Sequence, residues 1–169
     1  MNRLTEQVIK EAHRHIGVKE VTRNSSPEID GWLRRVGCEP GSPWCAAFAW
    51  CMLDDAIRAL GCTNHLPPTA SVHKLFERAH QHHAWWPEPG PGYVFGIDHG
   101  GGRGHCGVVV DVAGVKLATV EGNSNEAGSR EGNAVVVKSR NVLECTLRFL
   151  DPAMLLIGQT CSEARPEDG

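Results

Sequence analysis

Ten consecutive residues, Trp44-Cys45-Ala46-Ala47-Phe48-Ala49-Trp50-Cys51-Met52-Leu53, carry no charge and almost no polarity. A helix that is apolar on every side has to be packed on every side. The segment therefore predicts a central buried helix around which the rest of the chain folds. Ser42-Pro43 just before it reads as an N-cap and first-position pair. From Asp54 the pattern turns amphipathic, and Gly61 closes it as a C-terminal cap. Cys45 falls in the first turn of this helix.

The remaining pattern divides in two. Residues 4–15 read as a helix with Leu4, Val8, Ala12 and Ile16 along one side. Ser26 is an N-cap candidate with Pro27 at the first helical position, and that helix runs to Val36 and stops at Gly37. Residues 70–80 predict a short helix, and residues 82–91 a loop carrying Trp85 and Trp86. Beyond that the period changes. Residues 93–97, 105–112, 116–121, 134–139 and 145–150 read as short strands separated by glycine-rich turns. Helices first and strands later imply an α+β domain with an antiparallel sheet of five to six strands packed on the helices. The polar, acidic residues 159–169 read as a disordered tail, which leaves residues 1–158 as one domain.

Composition excludes several classes. The 169 residues carry a net charge of -3 with no basic stripe, which argues against a nucleic-acid partner. No apolar run is long enough to span a bilayer, so no stable membrane association is expected, and a monomer is expected. Residues 1–10 show no signal-peptide pattern, so synthesis in the cytoplasm is the expectation. The seven cysteines form an odd set without a Cys-x-x-Cys pair. A disulfide framework or a zinc ribbon is not indicated, and most of them read as small buried hydrophobes.

Two residues suggest chemistry. A thiol is nucleophilic as thiolate, and its free pKa is about 8.5. A helix N-terminus offers unpaired N–H groups and partial positive charge, which stabilise the anion at Cys45. The bland alternative is a small residue filling space. His105 opens a strand after Gly100-Gly101-Gly102-Arg103-Gly104, where a strand-end histidine can face a helix terminus. With nine histidines in the chain, a solvated or structural histidine is the competing reading. Glu121, at the end of the next strand, could orient the imidazole and stabilise its charged form. A two-residue turn at 113–114 would pair Val112 with Val115 and set His105 and Glu121 on opposite sides. A three-residue connection with Gly114 left-handed restores the same side, with His105 opposite Glu121 or Asn123, and this is the predicted loop.

Pro43-Trp44-Cys45-Ala46-Ala47-Phe48, Gly104-His105-Cys106-Gly107-Val108-Val109 and Val120-Glu121-Gly122-Asn123-Ser124-Asn125 together resemble the CHAP family, the cysteine, histidine-dependent amidohydrolases/peptidases. The likeness is to compact single-domain members from phages and bacteria and runs from about Glu11 to Leu150. It implies a papain-like, NlpC-type fold. It also implies hydrolysis of the peptide part of peptidoglycan, as muramoyl-alanine amidase or peptide endopeptidase. On it Cys45 is the nucleophile, His105 the base, Glu121 the orienter and Asn123 a supporting polar residue. Some members bind calcium through an acidic loop before the nucleophile. Residues 37–44 hold only Glu39 as an acid, so no calcium and no cofactor are expected. Cys106 stands where many members have a branched apolar residue, and is expected to point away from His105 in a structural role. Asn24, Trp86 and Asn125 are candidate substrate contacts. A phage endolysin released through a pore onto the bacterial wall fits this pattern. An injected antibacterial effector and an inactive wall-binding or phage structural module are the alternatives.

Overall fold

The computed structural model describes residues 2–124, 132–159 and 161. Helix α1 spans Arg3–Arg14, α2 Pro27–Arg35, α3 Cys45–Ala59 and α4 Val72–Gln81. Strands follow as β1 Trp85–Trp86, β2 Val94–Gly100, β3 Arg103–Ala113, β4 Lys116–Ser124, β5 Ala134–Asn141 and β6 Arg148–Leu150. They form one sheet in the order β1-β6-β2-β3-β4-β5, every neighbouring pair antiparallel. The architecture is α+β.

The apolar run behaves as its composition requires. Residues 45–54 of α3 are all buried. Phe48, Met52, Leu53 and Ile57 share a core with Leu4 and Val8 of α1, Ile29 and Leu33 of α2, and Leu75 of α4. Each such side chain contributes about 1.5–3 kcal/mol through burial. One sheet face joins this core through Val94, Cys106, Val108, Val120 and Leu150. The other face builds a second cluster from Phe95, Ile97, Val109, Leu117, Cys145 and Phe149. Two glycines let helices reach the sheet. A Cβ on Gly122 would lie 2.7–2.8 Å from Trp44 and Phe48, and one on Gly96 would meet the Phe76 ring.

Caps follow the sequence in part. Ser26 accepts the Ile29 N–H with Pro27 in the first turn, as its pattern predicts. Ser42 does not cap α3. Its hydroxyl donates to the Glu39 carbonyl, and the N-cap is Trp44 with no side-chain cap bond. Trp44 is fully buried, its indole N–H donates to Glu20, and its backbone lies outside helical geometry, so the helix starts at Cys45.

Other expectations are corrected. Trp85 and Trp86 lie in a strand rather than a loop, paired with Leu150 and Phe149 of β6. The last strand shortens to Arg148–Leu150 because residues 145–148 form a turn, closed by the Arg148 N–H to the Cys145 carbonyl at 2.9 Å with Arg148 at φ 65. Of the expected tail, residues 160 and 162–169 lie outside the described residues, and Gln159 and Cys161 are tied to the domain. The Gln159 amide donates to the Thr63 carbonyl and accepts the Thr63 N–H. Cys161 then forms a disulfide with Cys62 just past α3, with Cα atoms 4.6 Å apart. The partners are 99 residues apart, so no local pattern signals the bond. Cys38, Cys45, Cys51, Cys106 and Cys145 are free thiols. Among the described residues no helix is long and apolar enough to cross a membrane.

Candidate active site

The β3–β4 hairpin sets which side chains can meet. Ala113 pairs with Lys116, so the turn holds two residues, Gly114 and Val115, with Gly114 at φ 62. The predicted three-residue loop is not formed. A two-residue turn alone would put His105 and Glu121 on opposite faces. The register instead shifts between Val109 and Asp111, where Val110 is extra. This bulge returns the two residues to one face, where the His105 Nε2 donates to Glu121 Oε2 at 2.8 Å. Gly107 clears the path between them: a Cβ there would lie 2.9 Å from the Glu121 Cγ and 2.8 Å from the Val120 carbonyl.

Glu121 is completely buried. A lone carboxylate there would cost several kcal/mol, so its partners decide whether it stays charged. Oε1 accepts from Thr119 Oγ1 and Arg140 Nε, each at 2.7 Å. Oε2 accepts from Arg140 Nη2 at 2.7 Å and from the Ser124 hydroxyl at 3.3 Å, besides the imidazole. Burial pushes the carboxyl pKa up, but the Arg140 guanidinium and the His105 ring outweigh it and hold it well below the usual carboxylate range.

With Nε2 taken, Nδ1 is the nitrogen left to face the Cys45 thiol, whose interaction with the ring favours the imidazolium. Burial opposes the imidazolium, but the bonds to Cys45 and Glu121 win and raise its pKa to about 9. Cys45 is 6% exposed at the uncapped start of α3. Its pKa falls well below that of an ordinary thiol. A hydrogen bond with the Cys106 thiol is the first cause, and His105 adds to it against the effect of burial. The Cys106 pKa moves the opposite way, well up, because its proton is held against the Cys45 sulfur. Alternation along β3 sends Cys106 to the helix face, away from the imidazole as expected, and there it lies beside Cys45.

The first N–H groups of α3 have no acceptor within the helix. The Phe48 N–H makes the first helical bond, to the Trp44 carbonyl. A thiol of depressed pKa, an imidazole bonded to a buried carboxylate and N–H groups without a helical acceptor therefore lie close together, an arrangement that can support acyl transfer.

A cavity of about 570 Å³ opens beside Cys45, lined among others by Val36, Pro43, Ala70, Val72 and Gly104. The other candidates fall elsewhere. Asn123 sits two residues past Glu121 at φ 53, where β4 and β5 lose register. Asn24 does not line the cavity. Its side chain donates to the Gly41 carbonyl, tying down the loop before Cys45. Trp86 is 42% exposed on β1 and does not line the cavity either. Trp85 stacks on His80 and donates to the Leu147 carbonyl. Asn125 lies outside the described residues. Among the described residues no three His, Cys, Asp or Glu side chains are grouped to hold a metal ion.

Sequence reading missed Arg140 and Thr119. Thr119 is recoverable in principle, since it lies two residues from Glu121 on the same face of β4. Arg140 had only an indirect signal: a glutamate buried in a strand demands a cation.

No family model matches the chain, and no curated protein matches it. Among solved structures, the one described as the crystal structure of Ly7917 is similar at 15% identity and a TM-score of 0.45. The match covers 88% of this chain and 62% of that one.

Proposed function

We propose that this chain is a CHAP-type cysteine hydrolase of papain-like fold that cuts an amide bond in the peptide part of peptidoglycan. The observation that carries the reading is the His105 imidazole bonded to the buried Glu121 and interacting electrostatically with Cys45, which lies at a helix start that exposes N–H donors. The three sequence words shared with that family supply the substrate class.

In this reading the Cys45 thiolate attacks the amide carbonyl while His105 waits as imidazolium. The carbonyl oxygen becomes an oxyanion held by N–H groups of the first α3 turn, beginning with that of Cys45. Such a donor is worth on the order of 3 kcal/mol in the transition state. As the C–N bond breaks, His105 gives its proton to the leaving amine, and the acyl group stays on sulfur as a thioester. Water then attacks the thioester, His105 takes its proton, and the acid and the thiolate are released. Glu121 keeps the ring in the right tautomer and stabilises the imidazolium throughout. A phage endolysin reaching the bacterial wall through a pore, acting as a monomer, is the biological setting we favour.

The test is mass spectrometry of purified peptidoglycan after incubation with wild type and with Cys45→Ala. New fragments from wild type alone are expected, and their masses name the bond as sugar–alanine amide or peptide–peptide. Fragments from both proteins, or from neither across several wall types, would overturn the reading.

A further inference from the structure

The cavity beside Cys45 has a charge pattern that the hydrolytic step does not require. Lys74 and Arg78 reach it from α4 and Arg103 from the start of β3, and no acidic side chain lines it. This runs against the composition, because the chain holds 20 acidic residues against 17 lysines and arginines.

These cations are also unneutralised. Arg14, Arg35, Arg58 and Arg140 each have a carboxylate oxygen within 3 Å. Among the described residues Lys74, Arg78 and Arg103 have none within ion-pair distance. Arg78 is held in place instead: its Nη1 donates to the Pro67 and Pro68 carbonyls at 3.1 and 2.8 Å. Val36, Pro43, Pro68, Ala70 and Val72 give the lining a large apolar share beside the hydroxyls of Ser42, Thr69 and Ser71. Low-dielectric walls that carry one sign of charge focus the field and concentrate ligands of opposite sign.

We propose that this groove selects peptides carrying free carboxylates next to the scissile amide, with Lys74, Arg78 and Arg103 as the selecting residues. The inference rests on the hydrolase reading and narrows it. In wall peptides the γ-linked glutamyl residue and the diamino acid each bear a carboxyl group that is free in some walls and amidated in others. The groove favours the free acid, because an amide brings no charge to three cations and leaves them uncompensated when the ligand displaces water.

The test uses two soluble cross-linked muropeptides, their stem peptides still bonded to the sugars, that differ only in carboxylate against carboxamide at these positions. Wild type should cleave the acid form with kcat/KM about tenfold higher, the size of one charge-assisted contact. A Lys74→Gln, Arg103→Gln double variant should shrink that ratio to about twofold or less, and so should high salt. Arg78 is left alone because it also holds the 67–68 backbone. Equal cleavage of both peptides by wild type, or a ratio unchanged in the double variant, would overturn the inference and leave the hydrolase reading intact. If neither peptide is cleaved, the hydrolase reading fails. Calorimetric titration of Cys45→Ala with the same two peptides then decides. Tighter binding of the acid form sustains the inference, and equal or absent binding overturns it.

Discussion

Arg140 clasps both carboxylate oxygens of Glu121, with Nε on Oε1 and Nη2 on Oε2 at 2.7 Å each. The two residues sit on neighbouring strands, and the pair is what lets a charged carboxylate lie at zero exposure behind His105. Bidentate geometry suits guanidinium and not ammonium.

Replacing Arg140 by Met should leave that carboxylate buried without its main partner. The expected loss of stability is about 3–5 kcal/mol, read by urea denaturation. Combining it with Glu121→Gln should recover a large part of the loss, because the stranded charge is gone. If Arg140→Met unfolds at the wild-type urea midpoint, the pair is not holding the site together.

Activity should depend on pH through two groups of opposite direction. The reactive form needs a thiolate at Cys45 and a proton on His105. Since the Cys45 pKa is depressed and that of His105 is raised to about 9, kcat/KM should already be high at neutral pH and fall as pH passes about 9. Stability follows the same signs. The His105 contribution is complete below its ordinary value of 6.5 and is lost as pH rises through about 9. The Glu121 contribution is complete above its ordinary 4.5 and is lost as pH falls below that towards its depressed folded value. A rate that collapses between pH 7 and 8 would contradict the ion pair.

The Cys106 thiol is the largest influence depressing the Cys45 pKa, so Cys106→Val should raise that pKa while Cys106→Ser, which keeps a donor, should not. The readout is the rate of alkylation by iodoacetamide against pH. The acid limb should move up by about one unit in the valine variant, the weight of one hydrogen bond to a charged group. Coincident limbs for valine, serine and wild type would show that the Cys106 thiol plays no part in activating Cys45.

Reduction of the Cys62–Cys161 bond should lower stability without touching the site. Chain entropy assigns about 4 to 5 kcal/mol to closing a loop of this length. Dithiothreitol, or Cys161→Ser, is therefore expected to lower Tm by about 10 °C. An unchanged Tm would mean that the bond adds nothing to the folded state.

What the sequence made legible has a physical pattern. The buried α3, the Ser26 cap and the change from helical to strand period are local signals, and each appears where local chemistry placed it. The chain order of Cys45, His105 and Glu121 was visible because glycines and turns mark strand ends. The hidden parts are those that depend on distant partners. Trp44 at the N-cap of α3 bonds to Glu20, Arg140 reaches Glu121 from the next strand, Cys62 finds Cys161 across most of the chain, and Cys106 lies beside Cys45 through the packing of a helix on a strand. Trp86 and Asn24 looked like ligand contacts because exposed tryptophan and asparagine often are. Here one sits on an edge strand and the other ties a loop.

The extra residue at Val110 separates the part of the hairpin that can change length from the part that cannot. Paired residues share a face, and the pairs nearest the two side chains are Val108–Val120 and Val109–Thr119. Losing Val110 would close the bulge into a regular ladder with those pairs kept, and the imidazole and the carboxylate would stay on one side of the sheet. Losing one residue from 106–108 would turn them to opposite sides. Insertions at the 114–115 turn leave these pairs alone, so the tip of the hairpin can vary in length while the stretch beside the imidazole cannot change by a single step.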